Sequence, residues 1–254
     1  MGEKEKKRLD ILVLEKFPNL SRSYIQDNLI LAGKVKVSGK IITKPGVLVY
    51  VDSKIDVDFS EPKYVSRAGF KLEKALDYFK LDVCGLIVLD AGVSTGGFSD
   101  CLLQRGVKRI YGVDVGHGQT AEKLINDSKL VLIEKTNIRN LEKLAELVDL
   151  ITLDLSFIST LKVIDNVVKF LKKNGKIIIL IKPQFEVQPQ EVGRGGIVKD
   201  EKIHKKVIEK FKNKMGELGF IFNGVVESPV ASDNKEFLAL FERWSDPRGW
   251  ARGI

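Results

Sequence analysis

Asp90, Asp114, Glu134, Asp154 and Lys182 each close a short apolar run, where a parallel β-sheet should stay apolar. The runs are Leu86 to Leu89, Ile110 to Val113, Leu130 to Ile133, Leu150 to Leu153 and Ile177 to Ile181. In an open α/β sheet, ligands bind in the crevice beyond the carboxyl ends of the strands. A polar series along that edge therefore marks a site. Aspartates there could also cap the next helices. A lysine at the end of an apolar run is different, because it loses much of its hydration and needs a reason, either chemistry or an ion pair that merely seals the sheet edge. Acid and lysine together can take a proton from a weak nucleophile or steer its lone pair.

The first run leads into Asp90-Ala91-Gly92-Val93-Ser94-Thr95-Gly96-Gly97-Phe98. Glycines at this place let the backbone approach a ligand and open a helix. The spacing is not G-x-G-x-x-G and lacks the Gly-Lys-Ser/Thr of a phosphate loop, and Asp90 would repel a phosphate. That disfavours a nicotinamide-dependent oxidoreductase, the competing enzyme class. The acid suits a cationic ligand such as the sulfonium and amino group of S-adenosylmethionine. The expected cofactor set is Asp90, Gly92, Ser94, Thr95, Gly96, Gly97 and Phe98, with Asp114 for ribose hydroxyls or as a helix cap, and Asn137 for an adenine edge. Glu134 is expected to be structural. Glu236 opens a final antiparallel strand at the edge that carries Asp154 and Lys182. Lys71, on a helix ahead of the first strand, could belong with them or be solvated. Arg194 lies on a glycine-rich loop, as an RNA-backbone contact or lid, or as a plain surface turn. His117, His204, Cys84 and Cys101 show no metal-ligand spacing, so no metal is expected and the cysteines read as reduced core thiols.

Positioning these groups takes alternating strands and helices. Helices are expected at Ser66–Phe79, Gly97–Arg105, Gln119–Asn126, Ser159–Leu171 and Asp200–Leu218, and a last antiparallel pair at Ile221–Val226 and Glu236–Glu242. Such alternation argues a doubly wound, mostly parallel sheet. The first sixty residues differ. Arg8 to Phe17 reads as a helix. Ser21 caps a second one with an Ile25, Leu29 and Ala32 face, and short strands follow around turns at Ser38-Gly39 and Lys44-Pro45-Gly46. From Lys16 to Lys44 six basic residues face a single acid, Asp27, which favours a phosphate-binding surface over a merely solvated one. The whole chain of 254 residues carries a formal charge of +8, consistent with a polyanionic partner. Its charged N-terminus lacks the apolar core of a signal peptide, and no run is long enough to span a bilayer, so a cytoplasmic protein is expected.

Arg8-Leu9-Asp10, Ser21-Arg22-Ser23 and Gly33-Lys34-Val35-Lys36-Val37-Ser38-Gly39-Lys40 resemble the small RNA-binding module named after ribosomal protein S-four. That resemblance implies an RNA-contacting set of Arg8, Ser21, Arg22, Ser23, Lys34, Lys36 and Lys40, joined by Arg67 and Arg194, which recognises structured RNA by backbone and shape. Lys71, Asp154, Lys182 and Glu236 resemble the Lys-Asp-Lys-Glu tetrad of FtsJ-type ribose 2′-O-methyltransferases. With Ser94 to Asp100, Lys182-Pro183-Gln184-Phe185-Glu186 and Asn234-Lys235-Glu236-Phe237-Leu238, the chain is similar to the TlyA family of rRNA cytidine 2′-O-methyltransferases as far as about Phe241.

The resemblance implies a Rossmann-like S-adenosylmethionine-dependent domain, with a seven-stranded sheet and helices on both faces, over 66–243. A small α+β RNA-binding domain occupies 1–60, a linker 61–65, and an unassigned tail 244–254. It also implies Lys182 as the base or lone-pair guide, with Asp154 and Glu236 orienting the two lysines. Ribosomal RNA or ribosomal subunits would be the partner. Members of the family often carry a haemolysin label, but neither a membrane span nor a strongly amphipathic apolar helix here supports pore formation. A non-catalytic ribosome-assembly or RNA-binding factor is the alternative of a different class, and the full tetrad argues against it.

Overall fold

The computed structural model describes residues 5–60, 62–230 and 233–244. Glu61 of the expected linker, Ala231 and Ser232 ahead of Glu236, and residues 245–254 of the expected tail lie outside them. The chain divides into two units, Met1–Lys63 and Tyr64–Ile254.

In the first unit, β1 (Lys6–Arg8) pairs antiparallel with β4 (Leu48–Tyr50), while β2 (Val35–Val37) lies between β3 (Lys40–Ile41) and β5 (Ile55–Val57). Helix α1 (Leu9–Lys16) starts only after β1, so Arg8 belongs to a strand rather than to the expected helix. Ser21 does cap α2 (Arg22–Tyr24), accepting the Tyr24 amide at 3.1 Å. The helix then widens into a π-turn over Ile25–Ile30. That extra residue per turn moves the inward face to Ile25, Leu29 and Ile30 and leaves Ala32 exposed, against expectation. With Leu9, Leu12, Val13, Val35, Val49 and Ile55 these side chains form the unit's core.

The second unit holds α3 (Ala68–Tyr78), β6 (Ile87–Ala91), α4 (Gly97–Gln104), β7 (Arg109–Val113), α5 (Glu122–Ile125), β8 (Leu130–Ile133) and β9 (Val148–Leu153). After these come α6 (Ile164–Val167), β10 (Leu171–Ile181), α7 (Pro183–Glu186), α8 (Glu201–Glu217), β11 (Phe220–Glu227) and β12 (Phe237–Arg243). The sheet order is β11-β12-β10-β9-β6-β7-β8, with β12 antiparallel to both of its neighbours and the remaining pairs parallel. Successive residues of the central strands feed opposite cores. Val88, Leu150 and Ile178 pack with Leu72 and Leu102 on one face, and Leu89, Ile151 and Ile179 with Ile164 and Phe211 on the other. Strands buried on both faces need helices on both, which is what parallel sheets provide.

Two expected helices are shorter than their patterns suggest. Over Ser159–Leu171 only α6 is α-helical, between two 3-10 turns, because β-branched Val163, Ile164, Val167 and Val168 are weak helix formers and Leu171 already belongs to β10. Over Gln119–Asn126 only α5 forms. The Thr120 hydroxyl donates to the Ser94 carbonyl and the Ala121 amide to the Thr95 carbonyl, which docks that segment on the glycine loop instead of starting a helix. Cys84 is exposed, not in the core, while Cys101 is buried. No helix among the described residues is long and apolar enough to cross a membrane.

Candidate active site

The order of the sheet puts β6 between β7 and β9, and chain direction reverses its progress there. A crevice opens at such a switch point. It holds a cavity of about 470 Å³ lined by Gly92 and Ser94 after β6, Asp114 and Gly116 after β7, Thr136 and Asn137 after β8, and the segment Asp154 to Ile158 after β9. Gly92 has φ 91°, and a Cβ there would lie 2.4 Å from the Asp154 carbonyl, so only glycine lets the β6 and β9 ends close on each other. Asp114 Oδ2 accepts the Ser94 amide at 2.8 Å and Oδ1 the Gly116 amide at 2.7 Å, which fixes the carboxylate at the cavity wall. Asn137 lies opposite, its Oδ1 accepting the Arg139 amide at 3.0 Å.

Other members of the expected cofactor set do not line that cavity. Asp90 is not at a strand end but inside β6, with no exposure, where Ser99 and Thr152 hydroxyls donate to it at 2.6 and 2.8 Å. Its carboxyl is closed off from solvent, and burial pushes it up to about 6 despite those two bonds, with the nearby Asp154 and Asp114 carboxylates adding to the push. Phe98 is a core residue. Thr95, Gly96 and Gly97 do not line the cavity. A Cβ on Gly96 would meet Leu124 at 2.3 Å, and one on Gly97 would meet Ser66 Oγ at 2.3 Å and Ala68 Cβ at 2.8 Å. The last two glycines therefore serve the packing of α4 against α5 and α3. Glu134 takes the Gly118 amide at 2.8 Å and His117 Nδ1 at 2.6 Å, which tie the loop beyond Asp114, and the Gly118 amide first and His117 second hold its carboxyl below the usual range.

The four residues of the expected tetrad form two ion pairs. Lys182 Nζ lies 2.6 Å from Asp154 Oδ1 and donates to Ser156 Oγ at 2.9 Å; Lys71 Nζ lies 2.6 Å from Glu236 Oε2. The sheet explains why they meet. Ile181 and Phe237 are antiparallel partners across β10 and β12, so Lys182, one residue on, stands opposite Glu236, one residue before. Asp154 follows β9, the other neighbour of β10. Lys71 arrives from α3 on the helical layer. Lys182 is 8 % and Glu236 9 % exposed, and charges so far removed from water persist only when paired.

Ser156 and Phe157 carried no expectation of their own. Phe157 is 92 % exposed, sits at φ 65°, borders the cavity and stacks obliquely on Phe185 with ring centroids 5.7 Å apart. An exposed aromatic in a left-handed backbone is uncommon. A phenylalanine three residues past a strand-end acid was the available signal. Arg194 is exposed on the loop Gly193–Ile197, which Asn234 fastens by bonds to the Val198 amide and the Gly196 carbonyl. His204 is buried against the Val198 carbonyl and Phe237. Among the described residues, no three His, Cys, Asp or Glu side chains gather to hold a metal ion.

In the first unit the basic set splits. Arg8 and Arg22 both clamp Asp10, which is fully buried; Arg8 Nε donates to Oδ1 at 3.0 Å and Arg22 Nη2 to Oδ2 at 2.8 Å. Arg8 first, then Arg22 and Gln26, hold that carboxyl far below its ordinary range. Ser21 is a cap, Ser23 donates to Asp27, and Lys34 to the Ser60 carbonyl. Lys36, Lys40 and, in the second unit, Arg67 are exposed.

Comparison with known proteins fits this arrangement. Residues 64–243 match the FtsJ-like methyltransferase model and residues 7–54 the S4 domain model. The chain is 41 % identical over 239 residues to Hemolysin A of Brachyspira hyodysenteriae, covering 92 % of this chain and 99 % of that protein. It is 39 % identical over 231 residues to the 16S/23S rRNA (cytidine-2′-O)-methyltransferase TlyA of Mycobacterium tuberculosis, covering 89 % and 86 %. A solved Streptococcus thermophilus structure described as a hemolysin superposes with a TM-score of 0.73 at 35 % identity, over 96 % of this chain and 90 % of that one. An S-adenosylmethionine dependent methyltransferase of Mesorhizobium loti, 15 % identical, shares the fold of the second unit at a TM-score of 0.53, over 70 % of this chain and 100 % of that one.

Proposed function

The chain belongs to the FtsJ-like methyltransferase family, and within it to the TlyA group, and from that premise we propose that it methylates a ribose 2′-hydroxyl, of cytidine, in ribosomal RNA. The observation that carries the reading is the meeting of Lys71–Glu236 and Asp154–Lys182 at one sheet edge beside the cavity. Gly92, Ser94, Asp114 and Asn137 would hold S-adenosylmethionine in that cavity. Glycine there allows close backbone approach, the carboxylate suits hydroxyls, and apolar Val113, Ile138 and Val163 suit a purine face. When bound, this cofactor supplies an electrophilic methyl on its sulfonium and leaves as the neutral thioether.

The chain's own residues deal with the acceptor. A ribose hydroxyl is a weak nucleophile until its proton is taken or its lone pair is steered. Lys182, oriented by Asp154 and Ser156, steers that lone pair as the ammonium while the hydroxyl proton passes to solvent, or takes the proton itself after first giving its own to solvent. Lys71, held by Glu236, stabilises the charge that develops on oxygen. Alignment of oxygen and methyl group provides much of the remaining acceleration. Phe157 offers a ring face on which the base of the acceptor nucleotide can stack, with Phe185 behind it. Residues 1–60 serve as the RNA-binding module, with Lys36 and Lys40 as free phosphate contacts and Arg8 and Arg22 presenting their outer edges over Asp10. Arg67 and Arg194 extend the contact to the backbone near the acceptor. The partner in this reading is ribosomal RNA, free or within a ribosomal subunit, and the location the cytoplasm.

Lys182→Ala abolishes methyl transfer from labelled S-adenosylmethionine to rRNA and subunits while cofactor affinity stays near the wild-type value. A Lys182→Ala protein transferring at wild-type rate would overturn the assignment. A wild-type protein that binds RNA and cofactor without transfer would favour a non-catalytic assembly factor.

A further inference from the structure

The segments that follow β9 and β10 leave the sheet as irregular chain, and groups on such segments keep a fixed geometry only when something braces them. Glu186, the last residue of α7 and four residues beyond Lys182, is 8 % exposed. Its Oε2 accepts the Ser159 hydroxyl at 2.6 Å and its Oε1 the Thr160 amide at 2.7 Å. The Leu161 amide bonds to it as well. Both carboxylate oxygens are thus spent on the segment that descends from Asp154. Together with Lys182 on Asp154 and Ser156, and Phe185 on Phe157, this laces the two segments along their whole length.

Phe157 makes the brace necessary. With its side chain 92 % exposed and φ at 65°, it gains little from burial and sits in a sparsely populated backbone region. Such a conformation persists only where the surroundings impose it. The Lys182–Asp154 and Lys182–Ser156 bonds hold the turn on its N-terminal side, and on its C-terminal side Glu186 holds Ser159 and Thr160.

We propose that Glu186 is a positioning residue for methyl transfer. It fixes the Ser156–Phe157 turn so that the Phe157 ring and the Lys182–Asp154 pair present the acceptor nucleotide in one place. This rests on the function proposed above, and the side chain itself touches neither substrate nor cofactor.

The test uses the full-length protein as wild type, Glu186→Gln, Glu186→Ala, Phe157→Ala and the double variant Glu186→Ala/Phe157→Ala. Methyl transfer is measured at saturating and limiting rRNA, and amide exchange is followed over residues 155–162. Glu186→Ala should lower kcat by about tenfold. In the Phe157→Ala background its effect should shrink to about threefold or less, because both changes remove the same arrangement. Exchange at the Thr160 and Leu161 amides should quicken while β9 and β10 keep their protection. Wild-type kcat in both Glu186 variants, or effects of Glu186→Ala and Phe157→Ala that multiply in full, overturns the proposal. Should Glu186→Ala fail to fold, Glu186→Gln keeps the shape, loses one acceptor and carries the same comparison. A wild-type protein with no transferase activity counts against the proposed function. The exchange data then still decide whether Glu186 fixes the turn.

Discussion

Asp90 shows how far the environment of one carboxyl can depart from what its position in the sequence suggests. Two hydroxyl donors do not offset complete loss of water, and the group is pushed up to about 6. Against an unfolded carboxyl near 3.9, the folded chain binds this proton more tightly. The stabilisation is therefore present at low pH and is lost as pH rises from about 4 to about 6, a difference of about 3 kcal/mol. Asp90→Asn has no such proton to lose. In urea melts the wild type should lose roughly 2 kcal/mol relative to Asp90→Asn between about pH 4.5 and about pH 7.5. A constant difference would show that Asp90 does not titrate in that window. Asp114, Asp154 and Lys182 were legible as charges after apolar runs, since strand ends follow from hydrophobic length. Asp90 misled because the run continues through it: strand β6 buries a carboxyl that composition alone reads as an end. Phe157 offered only its place shortly after Asp154 as a signal, because its exposure comes from a backbone turn that no periodicity encodes.

Helices and strands set where these residues meet, and small residues set how closely. Gly97 lies where α4 meets the start of α3, the helix that brings Lys71. Gly97→Ala would force Ser66 and Ala68 apart and cost about 1–3 kcal/mol, readable as a lowered melting temperature. Methyl transfer should fall further than cofactor affinity, because Lys71 moves with α3. Equal stability of the two proteins would show that α3 yields without cost. Long amphipathic α8 and the five parallel strands were readable from periodicity. Short elements were not. The 119–121 segment answers to bonds from the glycine loop, and the π-turn after Tyr24 answers to core packing, both of them tertiary causes.

At the scale of the molecule, the chain folds as two units, and the basic residues of the first are of two kinds. Arg8 and Arg22 look free in sequence, yet a buried Asp10 takes hold of both, so part of the basic count maintains the fold. Lys36 and Lys40 are exposed on the β2–β3 hairpin, where the turn at Ser38-Gly39 presents them. Replacing both by alanine should weaken rRNA binding and flatten the slope of log affinity against log salt by about 1 per lysine. Cofactor affinity in the second unit should not change. An unaltered slope would remove them from the phosphate contacts.

Strand β12 is the last strand of the described chain, yet it enters the sheet between β10 and β11, and the Lys71–Glu236 pair joins residues 165 positions apart. Order of synthesis therefore differs from order in space. A nascent chain has already exposed Lys71, Asp154 and Lys182 when Glu236 is still to be made, and the slot beside β10 stays open until then. The cluster can close only after residue 236 has been made, so a protein whose proposed target is ribosomal RNA stays inert until then.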